Sequence, residues 1–205
     1  MTVLNNVKIR MLKRDVVKQP NFRYAWRRTR RTAMWTGLHF CFQAIMTIAK
    51  GKHQYRVTVN WTGNSGTGTS SYKAYSRNYV IQAADKPDML GSSDPAFRGD
   101  STRWNPEDML VASLSACHKL WYLHFCAVEG VRVEAYRDEA EGVMVEDPER
   151  GGAFTLVTLR PEVTIRAGDD VALAAELHER AHHFCFIANS VNFPIRCEPR
   201  IVCAP

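Results

Sequence analysis

The sequence lacks a C-x-x-C pair and any group of closely spaced cysteines, although its 205 residues include six cysteines. Closely spaced cysteines are the mark of small secreted domains that depend on disulfides. A chain of this length, with 45% hydrophobic residues, is large enough to bury a core without them. We therefore predict a cytoplasmic protein whose thiols are reduced.

A long apolar run is also missing. Residues 33–49 (AMWTGLHFCFQAIMTIA) come nearest to one, but Thr36, His39 and Gln43 interrupt them. The segment is also too short to span a membrane comfortably. We therefore expect no membrane partner.

Acidic residues are scarce at the beginning of the chain. Residues 1–45 contain ten basic residues and one acidic residue, Asp15, so their net charge of +9 exceeds the +6 of the whole chain. Such a segment is compatible with a twin-arginine export signal or with an arm for nucleic acid or anionic membranes. Strand-like patterns begin only after Met46, however. We predict that residues 1–45 are a disordered extension or upstream sequence added by an early start, that residues 46–205 form one domain, and that nucleic acid is not a partner.

The clearest helix signal runs from Asn105 to Gly130. Asn105 is a good N-cap, Pro106 suits the first helical position, and Gly130 supplies a stop. Apolar residues recur every three or four positions, so they share one face of the helix: Leu110, Leu114, Cys117, Trp121 and Phe125. We predict that the thiol of Cys117 faces a core or a partner.

A second helix is predicted from Asp170 to about Phe186, and it places another thiol, that of Cys185, on its inner face near its end. The thiols of Cys117 and Cys185 can therefore meet. A single helical cysteine would be explained better by packing, because free cysteine behaves as a small hydrophobic residue. We interpret three further cysteines in this structural way: Cys126, Cys197 and Cys203.

Alternating apolar residues predict strands before, between and after the two helices. The predicted strands cover residues 53–62, 72–83, 131–141, 143–145, 154–166 and 195–203, and residues 85–103 are predicted to form a long loop. The order of strands, helix, hairpin, helix and strand predicts an α+β fold with an antiparallel sheet.

The residues around the two thiols carry a specific pattern. In the run RWNPEDMLVASLSAC, Glu107 lies ten positions before Cys117, and Cys185 follows 68 positions later in HFCFIANSVNFP. This pattern resembles the OsmC/Ohr family of thiol peroxidases, and the likeness extends from about His53 to Val202. It implies an OsmC-like fold, in which an antiparallel sheet wraps around two long central helices. It also implies an intertwined homodimer with two sites at the interface.

A cysteine that reduces peroxides must be a thiolate. Because burial disfavours the charged form, a cation has to stand beside Cys117. Arginine suits this role, since its charge is permanent and its fork can bind a carboxylate at the same time. The resemblance implies such an arginine, braced by Glu107. Arg77 is our first choice, and Arg98 and Arg103 in the long loop are the other candidates.

The two thiols and the resemblance together predict an organic hydroperoxide reductase. Cys117 would attack the O–O bond of an organic or fatty-acid hydroperoxide and become a sulfenic acid, and Cys185 would condense with it to a disulfide. A dithiol, either a lipoyl-type protein or a small thiol, would reduce that disulfide. Three side chains are expected to make the site apolar: Leu114, Trp121 and Phe186. No cofactor and no metal are expected.

Two other functions stay open. In the first, both cysteines only pack, and the chain is a non-catalytic, stress-related binding protein of the same fold. The second is a zinc hydrolase, because the segment from His178 to His182 matches H-E-x-x-H, in which two histidines bind zinc and the glutamate activates water. A catalytic zinc needs a third protein ligand, and the residues that follow do not supply one in the expected place.

Overall fold

The structure is a computed structural model, and it describes residues 51–205. The predictions made for residues 1–45, including the export-signal interpretation, lie outside the described residues. Within the described part of the chain, no helix combines the length and the apolar character that crossing a membrane requires.

The first sheet contains three short antiparallel strands, in the order β1 (Thr58–Trp61), β2 (Tyr79–Gln82) and β3 (Met89–Gly91). The third strand falls in the segment that was predicted as a loop. Gly91 pairs with Tyr79, and a Cβ atom at Gly91 would lie 2.2 Å from the ring of Tyr79, so any larger residue there would require this ring to move. Every residue of β1 is exposed, and the half-buried strand predicted here is therefore not half-buried within the chain.

The first long helix, α1 (Pro106–Glu129), has the predicted bounds. The side chain of Asn105 accepts a hydrogen bond from the backbone N–H of Asp108 at 2.7 Å, which caps the first turn. Gly130 ends the helix in the left-handed conformation, with φ of 80°, which glycine adopts without steric cost. The cap and stop signals of the sequence are thus confirmed.

A bent hairpin follows α1. Its strands are β4 (Val133–Asp138), β5 (Glu141–Val145), β6 (Ala153–Leu159) and β7 (Pro161–Ile165), and β4 pairs with β7 while β5 pairs with β6, both antiparallel. The single strand predicted for residues 154–166 is interrupted at Arg160. The backbone N–H of Arg160 leaves the ladder and donates to the carboxylate of Asp138 at 2.7 Å. The predicted hairpin is confirmed, but it divides between two sheets.

The last predicted strand is also divided in two, β8 (Ile195–Cys197) and β9 (Arg200–Cys203). β8 runs parallel to β6, and β9 runs parallel to β7. The resulting sheets have the orders β5-β6-β8 and β4-β7-β9. The antiparallel pairing that was predicted therefore applies to the hairpin and to the first sheet, whereas the C-terminal strands make the other two sheets mixed.

The second helix, α2 (Val171–Phe184), begins after Asp170, whose carboxylate accepts hydrogen bonds from the backbone N–H groups of the first turn. It ends two residues before the predicted end, because Cys185 has an extended conformation. The residues that follow form a short 3-10 turn, Ala188–Ser190.

The main core lies between α1, α2 and the sheet that contains β7. Its fully or almost fully buried members include Tyr122, Cys126, Val163, Ile165 and Ala181. A smaller cluster of Leu114, Val157 and Leu159 packs α1 against β6. The two helices are thus held side by side, and this arrangement brings their thiols together.

Candidate active site

Helix α1 presents Cys117 at the edge of its buried face. The buried face of this helix contains Leu114, His118 and Tyr122. It therefore differs from the predicted apolar face, which has Cys117 and Trp121, by a rotation of about one residue about the helix axis. Cys117 is consequently only partly buried.

Cys185 caps the C-terminus of α2 and is completely buried. Burial is the main cause that raises the pKa of its thiol to about 11, and the neighbouring thiol of Cys117 contributes in the same direction. The sulfur of Cys185 also accepts the backbone N–H of Ala188 at 3.4 Å. The structure therefore places Cys117 and Cys185 beside each other as two free thiols.

Aromatic rings surround this pair of thiols. The ring of Trp121, one turn after Cys117 on α1, lies 5.4 Å from that of Phe184 and 5.5 Å from that of Phe186, which flank Cys185. Phe186 is 58% exposed, so it forms the open wall of the cluster. Leu114, the third residue predicted to make the site apolar, is buried in the smaller core cluster within the chain. The surroundings of the thiols are apolar on the side of Trp121 and Phe186.

Glu107 lies in the first turn of α1 and lines a cavity of about 680 Å³ between α1 and the bent hairpin. One of its carboxylate oxygens is buried, and it has no hydrogen-bond partner among the described residues. The negative charge of Glu107 contributes to raising the pKa of Tyr79, for which burial is the larger cause. Glu107 thus has an unused acceptor of the kind that a guanidinium satisfies.

None of the three candidate arginines forms an ion pair with Glu107 within residues 51–205. Arg77 donates to the backbone carbonyls of Tyr75 and Tyr72 at 2.7 Å and 2.9 Å, and its guanidinium lies over both rings. Arg98 lines a second cavity beside Arg77. Arg103 pairs with Asp100 at 3.3 Å and keeps one buried guanidinium nitrogen without a partner. Within residues 51–205 of a single chain, the arginine predicted to stand beside Cys117 therefore does not pair with Glu107.

Sequence reasoning missed a second cluster of ligand-type side chains. His118 lies on α1 and His178 on α2, and both side chains are only 1% exposed. One nitrogen of each ring lies 2.9 Å from a nitrogen of the other, and the sulfur of Cys197 is within 3.8 Å of both nitrogens. The H-E-x-x-H motif pointed to His182 as the partner of His178, whereas the cluster that the described residues form does not contain His182. No sequence signal indicated the true partners, because they come from three separate segments.

The chain is similar to known proteins over most of its described length. Residues 99–200 match the family model described as OsmC-like protein. A curated protein of Bacillus subtilis (strain 168), the uncharacterised protein YmaD, is 27% identical over 146 residues, which represent 68% of this chain and 87% of YmaD.

Solved structures have the same architecture. An OsmC-like protein of unknown function from Vibrio cholerae is 27% identical and superimposes with a TM-score of 0.67, covering 72% of this chain and 99% of that one. An organic hydroperoxide resistance protein from Legionella pneumophila is 18% identical, with a TM-score of 0.55 and coverage of 74% and 98%, and this likeness concerns the fold. The α+β arrangement of sheets around two helices is thus the OsmC-like fold that was predicted, and the chain belongs to the OsmC/Ohr family.

Proposed function

We propose that this chain is a thiol peroxidase that reduces organic hydroperoxides with Cys117 and Cys185. The observation that carries the proposal is the proximity of the two thiols, one partly exposed and one buried, beside an open aromatic wall. The Legionella protein of the same fold is described as an organic hydroperoxide resistance protein, which supports the same class of substrate.

The reaction proceeds in three balanced steps. The Cys117 thiolate attacks one oxygen of the hydroperoxide, the O–O bond breaks, and the other oxygen leaves with a proton as an alcohol, so that Cys117 becomes a sulfenic acid. The Cys185 thiol then attacks the sulfur of the sulfenic acid, and water leaves as the disulfide forms. An external dithiol, either a lipoyl-type protein or a small thiol, then reduces the Cys117–Cys185 disulfide to two thiols and is itself oxidised to a disulfide.

The first step requires a cation beside Cys117, and Arg77 is the residue that we assign to this role, with Arg98 and Arg103 as the alternatives. The buried oxygen of Glu107 that has no partner supports the proposal, because it offers an acceptor that would brace a guanidinium next to α1. The buried guanidinium nitrogen of Arg103 without a partner supports Arg103 as an alternative, because it is a donor that a carboxylate could satisfy.

The active form that we propose is a homodimer. Four apolar side chains share one face of the β1 segment, and all are exposed within the chain: Tyr55, Val57, Val59 and Trp61. Leu120 on α1 is also 63% exposed. Contiguous apolar surface of this kind marks an interaction site. A second copy of the chain that covers these residues would also bring its own arginines to the site.

Two single-residue variants test the proposed function. Replacing Cys117 by Ser is expected to lower the turnover of cumene hydroperoxide, with dihydrolipoamide as reductant, by at least about 1000-fold, because the nucleophile is lost. The matched control is Cys203→Ser, since Cys203 is exposed at the end of the chain. It should keep the wild-type rate. Full activity of Cys117→Ser would overturn the assignment of Cys117 as the nucleophile, and an inactive wild-type protein would favour the non-catalytic binding protein.

A further inference from the structure

The buried cluster of His118, His178 and Cys197 brings together three segments that are far apart in the sequence. His118 lies in the middle of α1, His178 in α2, and Cys197 at the end of β8. The Nε2 atom of His118 lies 2.9 Å from the Nδ1 atom of His178. The sulfur of Cys197 lies 3.6 Å from the first nitrogen and 3.8 Å from the second. The three atoms therefore form a small triangle inside the protein.

The dimensions of this triangle match those of a metal site. With metal–nitrogen and metal–sulfur distances of about 2.05 Å and 2.3 Å at tetrahedral angles, two nitrogens are about 3.3 Å apart and a nitrogen and a sulfur about 3.6 Å. The two observed sulfur–nitrogen distances agree with this geometry. The two nitrogens need to separate by only a few tenths of an ångström. An ion would thus fit without rearrangement of the helices.

Both imidazoles are in the form that binds metals. Burial lowers the pKa of His118 to about 4 and that of His178 to about 3, so both rings are neutral at physiological pH. The ring of Tyr122 stacks on His178 at 3.8 Å and fixes its orientation. The nitrogens that face each other and Cys197 are Nε2 of His118 and Nδ1 of His178, and the other nitrogen of each ring is buried without a partner among the described residues.

The electrostatic surroundings favour a cation. Burial raises the pKa of the Cys197 thiol to about 12, and three nearby carboxylates contribute to this shift: Asp138, Glu179 and Glu198. The negative potential of these carboxylates disfavours a thiolate without a partner, but it stabilises a divalent cation at the same place. A bound cation in turn stabilises the thiolate, so the Cys197 thiol loses its proton. Two neutral imidazoles and one thiolate are a ligand set that zinc prefers. Cys197 is only partly buried, so the cluster can be reached from its side.

We propose that His118, His178 and Cys197 bind one divalent transition-metal ion of the zinc class. The ion ties α1, α2 and β8 together at the turn of α1 that carries Cys117, and it stabilises the folded chain. The site is separate from the thiol pair and does not depend on the peroxidase activity. It also does not use His182, so it differs from a hydrolase site based on H-E-x-x-H.

The test uses the full chain carrying Cys117→Ser and Cys185→Ser, so that the thiol pair cannot bind the metal. After removal of metal with a chelator under reducing conditions, Zn²⁺ and Co²⁺ are titrated separately. We expect one ion per chain, a thiolate-to-cobalt charge-transfer band, and a rise in Tm with Zn²⁺. Adding Cys197→Ser should abolish the cobalt band and lower the Zn²⁺ affinity by at least about 100-fold. Adding Cys203→Ser instead should change neither.

Zn²⁺ affinity that is the same with and without Cys197→Ser would overturn the proposal, as would the absence of stoichiometric binding. If the Cys197→Ser protein does not fold, alkylation of the folded parent protein decides. Zn²⁺ should protect Cys197 from iodoacetamide and leave Cys203 reactive. Equal alkylation of Cys197 with and without Zn²⁺ would also overturn the proposal.

Discussion

The thiol of Cys185, directly after the end of α2, lies beside the thiol of Cys117 on α1. The two sulfurs differ in their surroundings, since Cys185 is completely buried and Cys117 is partly exposed. A peroxide must reach the attacking sulfur, whereas the resolving sulfur needs only to reach its neighbour. This difference in access supports the proposed roles, with Cys117 as the attacking residue and Cys185 as the resolving one.

The protonation of Cys185 gives a prediction about its reactivity. Because burial raises the pKa of this thiol to about 11, it is almost entirely protonated at pH 8, and only the thiolate is alkylated. At pH 8 we expect iodoacetamide to modify Cys185 at least about 100-fold more slowly than free cysteine. The rate should rise by about tenfold per pH unit between pH 8 and pH 10, since the thiolate fraction grows in that range. Site-resolved mass spectrometry measures both rates, and a rate equal to that of free cysteine would contradict the burial of this thiol.

Replacing Cys185 by Ser should separate the two chemical steps. Without a resolving thiol, Cys117 is expected to accumulate as a sulfenic acid after one equivalent of hydroperoxide, and turnover with a dithiol should fall by at least about tenfold. Labelling with dimedone detects the sulfenic acid. The Cys203→Ser protein serves as the control and should show no accumulation. Undiminished turnover of Cys185→Ser would show that Cys185 is not the resolving residue.

The aromatic wall predicts a preference for apolar peroxides. Phe186 is 58% exposed, so Phe186→Ala should change stability little while removing apolar surface beside the thiols. We expect kcat/KM for cumene hydroperoxide to fall by roughly tenfold, which corresponds to about 1.4 kcal/mol of lost apolar contact. The value for hydrogen peroxide should stay within about twofold, since this substrate has no apolar part to bind. Equal losses for both substrates would indicate a general disturbance of the site.

The exposed face of β1 predicts how the dimer is disrupted. Val59→Lys places a charge on the apolar face and is expected to weaken self-association by at least about 100-fold. Thr58→Lys, on the opposite face of the same strand, is the matched control and should leave association nearly unchanged. Sedimentation velocity measures the association state. A wild-type chain that is monomeric, or a Val59→Lys protein that associates as strongly as the wild type, would contradict the proposed homodimer.

The sequence allowed accurate prediction where local chemistry decides the structure. Asn105, Pro106 and Gly130 determine the ends of α1 by capping and stop signals that do not depend on the rest of the fold. The end of α2 was misplaced because the extended conformation of Cys185 depends on its burial and on the turn that follows. Likewise, nothing within residues 154–166 reveals that Arg160 leaves the strand to bind Asp138, which is distant in sequence.

The candidate site was predictable only in part for the same reason. Cys117 lies on α1 and Cys185 lies directly after α2, and the two helices pack together, so periodicity was enough to suggest that the thiols are close. His118 and His178 also face each other, but their contact depends on how far each helix is rotated about its axis. The buried face of α1 is shifted by one residue from the predicted stripe, and this shift places His118 in the core. The position of Arg77 relative to Glu107 stays a prediction, since a second copy of the chain would alter the surroundings of both residues.

The most direct measurement treats the reduced full chain with one equivalent of cumene hydroperoxide and determines its mass and its disulfide map. We predict the loss of two hydrogen atoms and a single new cross-link that joins the peptides of Cys117 and Cys185. A chain that keeps its mass, or a cross-link between any other pair of cysteines, would contradict the proposal that these two sulfurs form the redox centre.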